Sequence, residues 1–133
     1  MAIKSFEDLE CWKECRNLRV YIVQEILKSL PKEEKFRLGD QLLRAARSAT
    51  ANIAEGYGRF HYLDNAKFCS NARGSCWEVL DHLITARDEG LVSENQLNRG
   101  RAIVNRSVTI LNGYIRYLQR AHATKSKSSP DIP

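Results

Sequence analysis

The feature that most limits this chain is the spacing of its apolar residues, which recur at helical intervals along four long stretches with few breakers inside them. The last stretch is the most regular. Leu97, Val104, Leu111 and Leu118 repeat every seven residues, and Val108 and Ile115 fill the second position of a near-heptad seam. Only 7 Gly and 3 Pro occur, most of them between the periodic segments, so an all-β fold is excluded. With 133 residues there is enough chain for one core and too little for two.

The segments can be bounded by their end signals. The first is expected from about Phe6 to Leu30, with Ser5 and Asp8 forming a capping box and Pro31 as the stop. The second runs from about Gly39 to Glu55 with a small-residue stripe (Leu42, Ala45, Ala46, Ala49, Ile53), and Gly56 and Gly58 read as its C-terminal signal. The third runs from about Asp64 to Glu89 over a seam of Ala66, Cys69, Ala72, Cys76 and Leu83, and Gly90 ends it. The fourth starts at Ser93, capped with Gln96, and is expected to fray near His122. Short connections between amphipathic helices predict an antiparallel up-down four-helix bundle over 1–123. Residues 124–133 have no apolar periodicity and are expected to form a tail without fixed structure. No run of about 18 apolar residues is present, and the start of the chain turns acidic, so a soluble cytoplasmic protein is expected.

Charge is unevenly distributed. From Met1 to Glu94, 14 basic residues face 15 acidic ones, whereas Asn95 to Pro133 holds 7 basic residues and the single acid Asp131, giving +6. Clustered Lys and Arg on the last helix imply a polyanionic partner, and a plainly solvated face is the alternative. Ile103, Ile110, Tyr114 and Tyr117 form a second apolar stripe beside the main seam, flanked by Arg99 and Arg106. Leu18, Val20, Val23 and Leu27 are a similar surplus on the first helix. Two apolar faces on one helix imply a homo-oligomer, or else a wide seam in a monomer. The candidate nucleic-acid-binding set is Arg99, Arg106, Arg116, Arg120, Tyr114 and Tyr117, extended by Lys125 and Lys127. A protein-interaction scaffold using the second stripe is the competing function.

Catalytic and metal motifs are not found. Cys11 and Cys15, and Cys69 and Cys76, are spaced as small core residues rather than as CxxC zinc ligands. His61, His82 and His122 are scattered, and Glu33 and Glu34 sit in a polar linker. No enzyme activity, metal or cofactor is expected.

The densest motif is QLLRAARSATANIAEGYGR, Gln41 to Arg59, followed by ARGSCWE, Ala72 to Glu78. With FEDLECWKEC near the start and LPKEEKF in the connector, it resembles the family of 23S rRNA-intervening-sequence proteins over about Phe6 to Tyr117. Thr50 stands where the family often has Pro, and Cys76 and Trp77 replace Leu and Ala. Some members are encoded within insertions in bacterial 23S rRNA genes. The family is similar in fold to the accessory protein of diversity-generating retroelements, a pentameric barrel that binds nucleic acid and a reverse transcriptase. The resemblance thus implies a homopentameric ring and, as partner, RNA or DNA. On the motif itself, Arg44, Asn52, Glu55, Arg59, Arg73 and Glu78 are expected to form a buried polar network that sets helix register, with Glu55 paired to Arg73 or Arg59. Gly74 would be the close-approach point. A ligand or RNA site at the Gly56 to Arg59 turn is the other reading.

Overall fold

A computed structural model describes the backbone of residues 2–128 and the side chains as far as Lys125. Among these residues the chain is all helical, with four principal helices: α1 (Glu10–Tyr21), α3 (Leu38–Gly58), α4 (Tyr62–Asp88) and α5 (Glu94–Ser128). A single turn, α2 (Lys32–Lys35), occupies the connector after Pro31. The helices form a four-sided arrangement in which α1 and α4 each pack on both α3 and α5. The residues that meet run in opposite sequence order on neighbouring helices. Ser48 and Gly56 of α3 face Ser75 and Asn65 of α4, and Arg73 and Asn65 of α4 face Asn112 and Tyr114 of α5.

The apolar pattern explains this packing. All six seam residues of α5, from Leu97 to Leu118, are buried, as are Leu42, Ala45, Ala46, Ala49 and Ile53 of α3. The two cysteine pairs point inward and are free thiols in the core. Cys15 and Cys76 share a sulfur–sulfur hydrogen bond at 3.7 Å. Burial raises the Cys11 thiol above its ordinary range and Cys69 to about 12. Cys76 is raised by its bond with Cys15 first and then by burial.

The helix ends follow local chemistry. Ser5 and Asp8 make the expected capping box, but on a 3-10 turn at Phe6–Asp8, and the α-helix begins only after Leu9. What reads as one helix to Leu30 changes winding at Ile22, passing through a π-helical segment (Ile22–Ile26) and a 3-10 turn (Leu27–Ser29). There the Glu25 carbonyl accepts from Ser29 Oγ at 2.9 Å and Gln96 Nε2 at 3.3 Å. Gln96 also caps the start of α5, exchanging bonds with Ser93, so one side chain ties the two helix ends together. At the far end α5 continues to Ser128, past the His122 at which fraying was expected, with Lys125 in its last turns favouring the negative end of the helix dipole. The remainder of the expected tail, 129–133, lies outside the described residues.

Two glycines set the closest approaches, and neither is Gly74. A Cβ on Gly56 would sit 2.8 Å from Phe68 Cβ and 3.1 Å from the Asn65 carbonyl oxygen. On Gly100 it would lie 2.5 Å from Leu83 Cδ1. Gly56 is therefore a packing residue inside α3 and not its terminator, while a Cβ on Gly74 would meet nothing within 4 Å. Gly56→Ala is expected to lower stability by about 1–3 kcal/mol, because the Asn65 backbone cannot yield. Gly74→Ala is expected to raise it by up to about 1 kcal/mol through helix propensity alone. Thermal melting of the two variants checks both signs.

Candidate nucleic-acid interface

The six arginines and tyrosines chosen from the sequence do not act as one patch. Arg99 and Arg106 face α1: Arg106 Nε donates to Glu14 Oε1 at 3.0 Å, and Arg99 lies 3.9 Å from Glu25 and over the Tyr21 ring. Their charges are therefore offset locally. The apolar stripe beside them is also largely used within the chain, since Ile103, Ile110 and Tyr114 are half-buried against the core. The Tyr21 hydroxyl donates to the Gln96 carbonyl at 2.6 Å on the same α1–α5 seam.

Further along α5 the surface changes character. Arg116 and Arg120 are exposed and make no ion pair among the described residues. Tyr117 is 53% exposed and stacks on Tyr114, with ring centres 6.1 Å apart and planes 11° from parallel. Tyr114 is held from beneath: Asn65 Nδ2 donates to its hydroxyl at 3.1 Å, and burial raises the phenol to about 12. These rings line an open cleft of about 810 Å³, walled by the N-terminal turn, the α3–α4 connection and the C-terminal half of α5. A shallower continuation is lined by Tyr62, Tyr117, Arg120 and Lys125.

The α3–α4 connection, beside the Gly56 to Arg59 turn that was the alternative reading, supplies rings that the sequence reading did not assign to a site. Phe60 is 84% exposed and adopts φ +59°, the left-handed conformation in which helices commonly end on Gly. A bulky side chain there costs on the order of 1–2 kcal/mol. Tyr57, His61 and Tyr62 complete the aromatic rim, and Lys125 lies 6.0 Å above the Tyr62 ring. The visible signal was the run YGRFHY, four aromatic rings around a turn.

The expected buried network is instead five separate contacts. Arg44 pairs with Asp40 and Arg59 with Glu55 on exposed faces, at 3.0 and 3.3 Å. Glu78 pairs with His82 along its own helix at 3.2 Å. Arg73 does not reach Glu55; its guanidinium donates to Asn112 Oδ1 of α5 at 2.7 Å and to Ser70 Oγ at 3.3 Å. Asn52 donates to the Ser48 carbonyl, and Ser48 Oγ receives Ser75 Oγ from α4 at 2.9 Å. The reason is rotational. Of the polar stripe on α3, only Ser48 and Asn52 turn toward α4, while Arg44 and Glu55 fall on its outer edge. A half-buried contact that sequence reasoning missed lies on α1, where Arg19 donates to Thr50 Oγ1 at 2.8 Å.

An all-helical bundle with an aromatic cleft at one end, bordered by Arg120 and Lys125, is thus the class of molecule described. A model of the 23S rRNA-intervening sequence protein family matches residues 7–113, and the chain belongs to that family. No curated protein matches it.

Because the Glu55–Arg59 pair is exposed, Glu55→Ala is expected to change stability by less than about 0.5 kcal/mol. Arg73→Ala, which leaves Asn112 unbonded at a half-buried site, is expected to lose about 1–2 kcal/mol. Urea denaturation of both variants distinguishes this arrangement from a single coupled network, for which the two losses would be alike.

Proposed function

We propose that this protein is a non-enzymatic, cytoplasmic homo-oligomer of up-down four-helix bundles that binds nucleic acid, RNA first, through the C-terminal half of α5. The observation that carries the reading is the pairing of exposed, unneutralised Arg116 and Arg120 with the exposed ring of Tyr117. Cations without carboxylate partners contact phosphates, and an adjacent aromatic face gives bases a surface to stack on. The family's name points the same way, toward ribosomal RNA. Arg99 and Arg106, offset by Glu25 and Glu14, leave the proposed contact set.

The up-down arrangement is supported by the opposed order of contacts between neighbouring helices. Assembly, with five copies as the family resemblance implies, is supported by apolar side chains left outside the core, among them Val20 and Val23. Several copies of a weak basic patch in one particle would add through avidity.

Binding of a structured RNA, followed by fluorescence anisotropy, is expected to fall steeply with salt. The double variant Arg116→Glu/Arg120→Glu should bind at least about tenfold more weakly, and each lost phosphate contact should flatten the log–log salt slope by about 0.7–0.9. Arg106→Gln should leave both nearly unchanged. An affinity independent of salt overturns the electrostatic mechanism, and salt-insensitive capture of a partner protein would favour a scaffold instead. Light scattering gives the subunit count, and a folded particle of 15.2 kDa would exclude assembly.

A further inference from the structure

The cleft at the end of the bundle has a shape that phosphate binding alone does not use. Its volume, about 810 Å³, is that of a site for a compact organic group rather than of a flat charged surface. Its walls are aromatic on both sides. On α5, Tyr117 presents one ring face outward while its other face rests on Tyr114, which Asn65 anchors. On the α3–α4 connection, Phe60 projects into solvent from a left-handed backbone position that Gly would occupy without strain.

Charge around the cleft is polarised. Arg120 and Lys125 stand on the α5 side, where the shallow extension begins. Asp8, Glu10 and Lys13 line the α1 side, and all three are already engaged. The Asp8 carboxylate accepts from the Lys4 and Ser5 backbone N–H groups, and Glu10 pairs with Lys13 at 3.3 Å. A ligand that is anionic along one edge and flat, aromatic and uncharged along the other matches this division.

We infer that the cleft is a base pocket, which takes an unpaired base of a single-stranded nucleic acid between Tyr117 and Phe60 while Arg120 and Lys125 hold the neighbouring phosphates. The inference rests on the nucleic-acid reading above and sharpens it to single strands. Bases in a duplex are stacked on each other and offer no free face, so a duplex would meet only the cationic rim. A splayed base offers two faces and carries its phosphate on one side, the side where the cations lie.

The test is anisotropy with three labelled probes of about 12 nucleotides, within the site sizes of single-strand binders. They are a mixed-sequence RNA strand, the same backbone without bases, and the corresponding duplex. The base-bearing strand is expected to bind at least about tenfold more tightly than the abasic one. Phe60→Gly and Tyr117→Ala should each weaken base-bearing binding by about 5- to 100-fold and leave abasic binding unchanged. Phe60→Trp should retain the wild-type affinity. Phe60→Gly should melt no lower than the wild type, a readout that a merely structural Phe60 would not give. Equal, salt-sensitive binding of base-bearing and abasic strands overturns the pocket and leaves the polyanion reading standing. Failure of every probe to bind overturns both, and a Phe60→Gly loss that Phe60→Trp does not restore overturns the pocket.

Discussion

Close approach of neighbouring helices at two glycines is the constraint from which the remaining geometry follows. At Gly56 the α3 backbone meets Asn65 and Phe68 of α4 with no room for a methyl group, and at Gly100 the α5 backbone receives Leu83 of α4. These two points fix α4 against both of its neighbours. Once they are set, Ser48 lies opposite Ser75, and Arg73 lies within reach of Asn112. The Gly56 contact also decides where α3 ends and α4 begins, and so places Phe60 and Tyr62 at the same end of the bundle as Tyr114 and Tyr117. The polar bonds between helices lock this register but are not its origin, since most are half-exposed and individually worth about 1 kcal/mol.

The second organising fact is how positive charge is divided along α5. Its N-terminal half lies against α1 and the π-helical segment after it, whose Glu14 and Glu25 offset Arg106 and Arg99. Its C-terminal half carries Arg116 and Arg120, which have no such counterpart among the described residues. An excess of positive charge that appears spread over a long helix is thus concentrated at one end of the molecule. That end also bears exposed rings, and a polyanion approaching it would be steered toward them.

Much of the fold was legible because apolar periodicity responds directly to burial. Every seam residue from Leu97 to Leu118 is buried, and the Ser93–Gln96 cap forms as its spacing indicates. The failures have a common origin in information that spacing does not contain. Gly56 looks like a helix end, since Gly is usual there, but its reason is the α4 backbone opposite. The helix ends at Gly58, the second glycine of the signal, and Phe60 just beyond it takes a left-handed conformation that no propensity predicts. The change of winding at Ile22 keeps the apolar side chains facing inward, so the pattern passes through it unmarked. For the site, the sequence indicated Arg116, Arg120, Tyr114 and Tyr117, whereas the partners of Arg99 and Arg106 lie on a helix far away in the chain. Of the two partners expected for Glu55, it meets Arg59, while Arg73 reaches Asn112 of α5, because spacing does not give rotation about the helix axis.

The four interior sulfurs have a practical consequence for how this bundle can be observed. Cys11 borders the open cleft, whereas Cys15, Cys69 and Cys76 are fully buried and offer alkylating reagents no route of approach. Modification of these three thus requires α1 and α4 to separate, which dismantles the interior as a whole. The molecule consequently carries its own clock for global opening, readable by mass as each copy gains its labels together.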